Sequence, residues 1–251
     1  MEKRLLFCDK HFAIVNKNPG EVCSLEDGKS SDSSYLPKIF EKSISLKLGK
    51  KTEIIECVNR IDKPVSGIVI LALSKFANSE LSIQLKNHYI EKKYYAIVEG
   101  CFKPFPKEKE NCLLKNLISF NKKNQKAYIY NEKQNKNLKS SYYLDISKYK
   151  NAELLYRVIG SGDFYSFLEI QLLTGRTHQI RCQLANNKMP IKGDLKYGAK
   201  RSEKNGGIRL HAGKLSLLHP LTKEKMTFTA DFPYEDALWN EVKKSIEKFE
   251  E

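Results

Sequence analysis

Two short segments of the chain carry side chains that can do chemistry. The first is Asn59–Gly67 (NRIDKPVSG), which places Asp62 in a loop between two apolar segments. Pro64 fixes its own φ and restricts the residue before it, so this loop is stiff and can present a carboxylate as a nucleophile or base. The second is Thr174–Arg181 (TGRTHQIR), where an arginine borders the apolar side of a helix. Such an arginine can point into a cleft, pair with a carboxylate and keep it ionised.

Each of these residues also has a structural interpretation. Asp62 alone is more typical of a turn or cap residue than of a nucleophile. Arg181 could form a surface ion pair, which contributes little to stability. His178 could serve as a hydrogen-bonding group at the start of its helix. The two segments therefore indicate a site only when they are taken together.

The elements that would position these residues are strands with a few helices between them. The predicted strands are Arg4–Cys8, Phe12–Asn16, Ile54–Val58, Ile68–Leu73, Lys92–Glu99, Ala127–Tyr130, Ser141–Ile146, Leu154–Ile159, Tyr165–Leu172, Leu210–Leu217 and Lys225–Ala230. The predicted helices are Tyr35–Leu48, Lys75–His88 capped by Ser74, one capped by Thr177 that reaches Asn186, and one that starts at Asp231 and Pro233. This order lacks a regular βαβ alternation. It indicates an α+β fold with a large mixed, mainly antiparallel sheet.

Length and composition bound the class of protein. The 251 residues can build a sizeable core, which we expect to be a single domain over residues 1–251 with two lobes that share one sheet and join near residues 101–112. We find no apolar run long enough to span a membrane, and from the charged N-terminal segment without a long apolar region we expect no signal peptide. Six scattered cysteines without zinc spacing fit a reducing cytoplasm. We expect a cytoplasmic monomer that does not bind membranes.

The charge of the chain favours an anionic partner. The formal net charge is +14, from 44 lysines and arginines against 30 acids. Nucleic acid is the commonest partner of such a chain. Because most of the excess is lysine, the same composition can also arise from an AT-rich genome. Charge alone does not decide between the two origins.

The motifs, taken in order along nearly the whole chain, resemble those of the RluA-type RNA pseudouridine synthases. Asn59–Gly67 is similar to His-Arg-Leu-Asp-x-x-Thr-Ser-Gly, whose aspartate, here Asp62, is the family's nucleophile. Lys92–Gly100 is similar to Lys-x-Tyr-x-Ala-x-Val-x-Gly, whose tyrosine, here Tyr94, stacks on the target base. Gly175–Arg181 is similar to Gly-Arg-x-His-Gln-Ile-Arg, whose last arginine, here Arg181, pairs with the nucleophile. Further matches are Asn16–Gly20, Pro190–Gly198 and Arg209–Ala212.

The resemblance implies a fold, a reaction and a substrate class. It implies a catalytic domain without an S4-like module, with an active-site cleft across the sheet. It implies isomerisation of uridine to pseudouridine in structured rRNA or tRNA, on a base flipped out of its stack, without a cofactor or a metal. Leu210 would form the apolar wall of the base pocket. The expected RNA-binding residues are Arg60, Asn59, Ser66, Gly67, Arg176, Thr177, His178 and Leu210.

Departures from the family pattern fall in the Asp62 loop. Asn59 replaces the usual histidine, Ile61 the usual leucine and Val65 the usual threonine, and Asn18 shifts the early proline by one place. These changes leave Asp62, Tyr94 and Arg181 in place. They favour, as an alternative, a catalytically idle relative that chaperones RNA folding. A weaker alternative is a metal-dependent hydrolase that uses His178, Asp194 and His211.

Overall fold

The computed structural model describes residues 2–25, 33–104, 111–131 and 146–250. Its strands are β1 (Leu5–Cys8), β2 (Phe12–Lys17), β3 (Glu56–Cys57), β4 (Ser66–Ala72), β5 (Glu91–Glu99), β6 (Cys112–Asn121), β7 (Lys126–Ile129), β8 (Lys150–Ser161), β9 (Tyr165–Leu172), β10 (Leu210–Leu218) and β11 (Lys225–Thr229). Its α-helices are α1 (Leu36–Leu48), α2 (Lys75–Lys86), α3 (Gln179–Asn186) and α4 (Ala237–Glu250). Short 3₁₀ helices cover Glu2–Arg4, Ile146–Lys148 and Leu195–Tyr197.

All of these strands belong to one 11-stranded sheet. Its order is β1-β2-β4-β10-β5-β9-β8-β6-β7, with β11 paired to β10 and β3 paired to β4. β4 and β10 pair in parallel, and the other described pairs are antiparallel. The predicted α+β fold with a mixed, mainly antiparallel sheet is confirmed.

Helices cover the sheet on both faces, so its central strands are apolar on both sides. Every residue of β4 (SGIVILA) is buried. Val69 and Leu71 pack with Phe40 of α1 and Ile180 of α3. Ile68 and Ile70, which alternate with them, pack on the opposite face with Ala77 and Leu81 of α2. Farther along that second face, Trp239 and Val242 of α4 cover Tyr95 and Ile97 of β5.

The parallel junction between β4 and β10 depends on Gly67. It has a φ of +118°, and a Cβ atom there would lie 2.3 Å from the carbonyl oxygen of Ala212. Only glycine combines that dihedral angle with so close an approach. This junction places the end of the Asp62 loop directly beside β10.

Most predicted helices are confirmed, with two corrections at their starts. Ser74 caps α2 as predicted, since its hydroxyl accepts from the Ala77 amide at 3.2 Å. The predicted Thr177 cap is wrong: α3 begins at Gln179 after a left-handed His178, and Thr177 is exposed. The Gln179 amide oxygen instead accepts from the Arg176 backbone at 2.9 Å and closes that turn.

The last helix begins later than its proline predicts. α4 starts at Ala237, and the Asp236 carboxylate accepts from the Trp239 amide at 2.9 Å. Asp236 therefore does the capping that the sequence favours at Asp231. On the inner side of this helix, Trp239 and Val242 are fully buried.

Strand predictions differ from the structure in the middle of the chain. β6 was not predicted, because its burial is irregular and its apolar residues are interrupted by Lys115 and Asn116. The predicted strand Ile54–Val58 shortens to the two residues of β3. Most of Ser141–Ile146 lies outside the described residues, and Ile146 begins a 3₁₀ helix.

Candidate active site

Asp62 lies on the loop that connects β3 to β4. A buried lysine, Lys17, holds this loop by hydrogen bonds to its backbone. The Lys17 ammonium, at the end of β2, donates to the backbone carbonyl oxygens of Asn18, Lys63 and Val65 at 3.0, 3.1 and 2.7 Å. Burial lowers the pKa of Lys17 to about 8. The Val65 amide also donates to the Asp62 carbonyl oxygen at 2.9 Å, which closes a turn around the aspartate. The Asp62 side chain itself remains partly open, with 23% of its area exposed.

Arg181 projects from α3 toward this loop. Its Nη1 donates to Asp62 Oδ2 at 3.0 Å, which confirms the predicted contact between the two motifs. The arginine side chain is buried, and its other two nitrogens donate to a second carboxylate. Nε and Nη2 donate to Asp194 at 2.7 and 2.8 Å. Burial opposes the charge of Arg181, but the hydrogen bonds and charges of Asp194 and Asp62 raise its pKa, so it stays a cation.

The segment Asp194–Tyr197 supports both groups that face Asp62. Asp194 holds Arg181, and the Arg181 guanidinium also lies 5.0 Å from the centre of the Tyr197 ring. The Tyr197 hydroxyl accepts from the Ala127 amide at 2.7 Å and lies 2.9 Å from Nδ1 of His178. The sequence predicted no role for the Pro190–Gly198 motif in this site beyond the metal-ligand alternative at Asp194. The available sequence signal was an aspartate, Asp194, three residues before a tyrosine, Tyr197.

His178 is the third side chain close to Asp62. Its Nε2 lies 3.7 Å from Asp62 Oδ2. Its Nδ1 lies 2.9 Å from the Tyr197 hydroxyl, and this contact holds the ring with Nε2 toward Asp62. Burial lowers the pKa of His178, although the Asp62 charge acts in the opposite direction. The imidazole is therefore neutral at pH 7.

Tyr94 on β5 lies in the same apolar cluster as Leu210 and Ala212 of β10 and Ile180 of α3. Burial and the charge of Asp62 raise the pKa of Tyr94, so its phenol stays neutral at physiological pH. Together these side chains form an apolar wall beside a carboxylate and a guanidinium. Such a site can hold a planar ring against a charged oxygen.

The residues expected to bind RNA fall into two groups. Arg60, Arg176 and Thr177 are exposed near the two motifs, and His178 faces Asp62. Asn59 and Ser66 are buried and have structural partners instead, so the structure does not offer their side chains to RNA. Asn59 accepts from the Ile70 amide at 2.7 Å, and the Ser66 hydroxyl lies 2.9 Å from Nδ1 of His211. Gly67 and Leu210 are also buried, the first against β10 and the second in the core cluster.

The three side chains proposed for a metal-dependent hydrolase do not converge. Asp194 is bound to Arg181, and His211 lies between Ser66 and the Ala230 carbonyl oxygen. Within the part of the chain that the structure describes, no group of three or more histidine, cysteine, aspartate or glutamate side chains is suited to hold a metal ion.

Within the same ranges, each helix is too short or too polar to cross a membrane.

Comparison with protein families gives one match over most of the chain. A family model described as RNA pseudouridylate synthase matches residues 11–186. The RNA pseudouridine synthase YlyB of Bacillus subtilis (strain 168), itself uncharacterised, is 33% identical over 70% of this chain; the match spans about half of that protein (52%). The tRNA pseudouridine synthase C of Yersinia pestis is 26% identical over 98% of this chain and 95% of its own length.

Solved structures show the same fold. Human RNA Pseudouridylate Synthase Domain Containing 4 superposes with a TM-score of 0.66 at 21% identity, over 99% of this chain and 94% of that one. Human RNA Pseudouridylate Synthase Domain Containing 1 superposes with a TM-score of 0.65 at 19% identity, over 96% and 86%.

Proposed function

The chain belongs to the RNA pseudouridylate synthase family, and we propose that it converts uridine to pseudouridine in tRNA or rRNA with Asp62 as its reactive carboxylate. The observation that carries this proposal is the contact of 3.0 Å between Asp62 Oδ2 and Arg181 Nη1. It joins two motifs that are 119 residues apart at a partly open carboxylate. Relatives named as tRNA pseudouridine synthase C and as ribosomal large subunit pseudouridine synthase D support the substrate class.

The reaction exchanges one bond to the sugar for another. The bond between N1 of uracil and C1′ breaks, the ring turns, and C5 bonds to C1′. C5 then loses its hydrogen as a proton, and N1 gains one. Asp62 supplies the oxygen that reacts with the nucleotide, and Arg181 donates a hydrogen bond to this oxygen and orients it. No redox change occurs, and atoms balance within the nucleotide and water.

The apolar wall around Tyr94 binds the uracil ring of the target nucleotide. A uridine stacked inside an RNA helix cannot reach Asp62, so the nucleotide flips out, at least cost from a loop or a strained stem. The Tyr94 ring then stacks on uracil, and Leu210 packs in the core cluster behind that ring. Because its phenol is neutral, Tyr94 can pass a proton late in the cycle. Arg60 and Arg176 are exposed on the flanking loops and bind RNA phosphates.

We further propose that residues 1–251 work as one catalytic domain, joined near residues 101–112, and that the protein acts as a cytoplasmic monomer. The single sheet that passes through every described strand supports the first point. The net charge of +14 favours binding of RNA, an anion, over neutral partners.

The test is release of tritium from tRNA and rRNA labelled at C5 of uridine. We expect Asp62→Asn to lose turnover by more than about 10³-fold while its affinity for RNA changes by less than about threefold. The matched control is Asp163→Asn, which makes the same change of charge in an exposed turn and should keep full activity. Tritium release by Asp62→Asn at the wild-type rate would refute the role of Asp62. A wild-type protein that binds RNA but releases no tritium would instead be the idle RNA chaperone.

A further inference from the structure

A pocket away from Asp62 is lined by lysines. It has a volume of about 280 Å³ and opens where β5 begins, beside β10 and β11. Lys92 and Lys93 of β5, Lys214 of β10 and Lys225 of β11 line it, against the single acid Glu91. The lining thus has an excess of positive charge, and Asp62, Arg181 and His178 do not take part in it.

Strand register places two of these lysines directly opposite each other. Lys93 pairs with Lys214 in the antiparallel ladder between β5 and β10. A β-bulge between Ala212 and Lys214 adjoins this pair, and like charges on paired strands destabilise a sheet. The ladder therefore holds a repulsion that an anion between the two ammonium groups would relieve.

The neighbouring carboxylates neutralise only part of this charge. Glu169 lies 3.4 Å from Lys93 but also binds Arg157 at 2.8 Å. Glu91 lies 3.5 Å from Lys225, and both side chains are more than half exposed, so their attraction is weak. Over the residues that the structure describes, Lys92 and Lys214 have no carboxylate partner within ion-pair distance.

Lys92 is the most informative member of the pocket. Lys92 is half-buried, and burial alone lowers its pKa. A cation that has lost water without gaining a counter-charge costs stability. Such a group is typical of a site that binds an anion.

We propose that this pocket binds a phosphate of the RNA backbone, as a second RNA-contact site separate from the cleft at Asp62. The proposal rests on the proposed function, since it assumes that RNA is the substrate. Lysine ammonium groups suit phosphate oxygens as point charges. Gln171, Ser216 and Thr227 line the same pocket and can donate further hydrogen bonds.

The pocket and the cleft are close enough to act on one RNA. Lys92 and Tyr94 are two residues apart on β5, so their Cα atoms lie about 7 Å apart along the strand. An RNA whose flipped base stacks on Tyr94 can thus run its backbone toward the lysines. The pocket would then help to set which nucleotides flank the target uridine.

The experiment compares RNA affinity as a function of salt for two charge-matched double variants. In Lys92→Met/Lys214→Gln we expect the slope of log Kd against log salt to fall by about 1, because the contact with one phosphate is lost. Affinity at low salt should fall by on the order of 10- to 100-fold, and KM should rise more than kcat changes. The control is Lys75→Gln/Lys244→Gln, whose lysines are 81% and 70% exposed on α2 and α4. It should keep the wild-type slope.

Three outcomes distinguish an RNA phosphate site from a site for a small anion and from lysines with only a structural role. Equal slopes and affinities for the two double variants would overturn the proposal. So would a pocket variant that loses binding of inorganic phosphate but keeps wild-type RNA affinity, because the site would then serve a small anion. The melting temperature of the pocket variant should match or exceed that of wild type, since a repulsion is removed; a fall would mean that the lysines are structural. RNA binding is measured without turnover, so a missing isomerase activity would refute the proposed function and leave this test readable.

Discussion

Asp194 takes two of the three hydrogen bonds that the Arg181 guanidinium makes to carboxylates, at 2.7 and 2.8 Å, and Asp62 takes the third. Asp194 is 2% exposed, whereas Asp62 is 23% exposed. The arginine is therefore anchored from behind by a buried acid and offers a single donor to the open one. Its direction does not depend on Asp62, so the guanidinium is already in place before a nucleotide arrives.

Replacing Asp194 with asparagine should weaken both stability and turnover. Removing Asp194 leaves the buried Arg181 charge with only the partly exposed Asp62 as its counter-ion, which costs about 3 kcal/mol. We expect the free energy of unfolding in urea to fall by roughly that amount. Turnover should fall by on the order of 10²-fold, because an arginine that is free to shift no longer meets Asp62 at the right place.

An exposed acid is the control for Asp194→Asn. Glu53 lies 3.8 Å from Lys75 on the surface, with about half of its side chain exposed. Glu53→Gln should leave the urea midpoint and the rate of tritium release at their wild-type values. An Asp194→Asn protein with wild-type stability would show that Asp62 alone is enough to hold the arginine.

The sequence predicts those parts of the site that depend on local chemistry. Pro64 in the Asp62 loop and the apolar residue next to Arg181 indicate a stiff carboxylate and an inward arginine, and the structure brings them together. The Thr177 cap fails because the Gln179 side chain closes that turn, a contact that helix-start preferences do not include.

The sequence does not predict hydrogen bonds between residues that are distant along the chain. Asn59 and Ser66 look like polar loop residues suited to RNA, but each satisfies a buried backbone or imidazole group on another strand. Lys17 looks like an exposed lysine at a turn, although three carbonyl oxygens of two loops surround its ammonium. Such roles depend on which strands become neighbours. Periodicity alone does not determine that order.

His211 should make the protein less stable in mild acid. Its ring is buried between the Ser66 hydroxyl and the Ala230 carbonyl oxygen, so Nε2 carries the hydrogen and Nδ1 accepts from Ser66. Burial lowers its pKa from 6.5 to about 4. The unfolded chain therefore takes up a proton before the folded one, and stability is lost as the pH falls from 6.5 toward 4. We expect the free energy of unfolding to drop by about 2 kcal/mol between pH 7 and pH 5 from this group.

Two histidine variants separate this effect from general acid sensitivity. His211→Gln should have a lower stability at pH 7 but a flatter dependence on pH over the same interval. His88→Asn changes an exposed histidine in a left-handed turn and should keep the wild-type slope. Equal slopes for all three proteins in urea titrations would show that His211 is not the group that titrates.

Lys17→Met should lower the rate of turnover without weakening the binding of RNA. The ammonium joins the end of β2 to the carbonyl oxygens of Lys63 and Val65, which flank Pro64 just after Asp62. Methionine keeps most of the buried volume but cannot donate to these oxygens, so the loop is free to move relative to Arg181. Because a displacement of about 1 Å at a reacting group can cost on the order of 10²-fold, we expect kcat to fall between 10- and 100-fold. The dissociation constant for RNA should stay within about threefold, since Lys17 is buried beneath the loop and does not face the solvent.

Lys42→Met, which changes an exposed lysine on α1, makes the same change of charge and should preserve kcat. If Lys17→Met folds and turns over at the wild-type rate, the turn bond from the Val65 amide and the junction of Gly67 with β10 are enough to hold Asp62 in position.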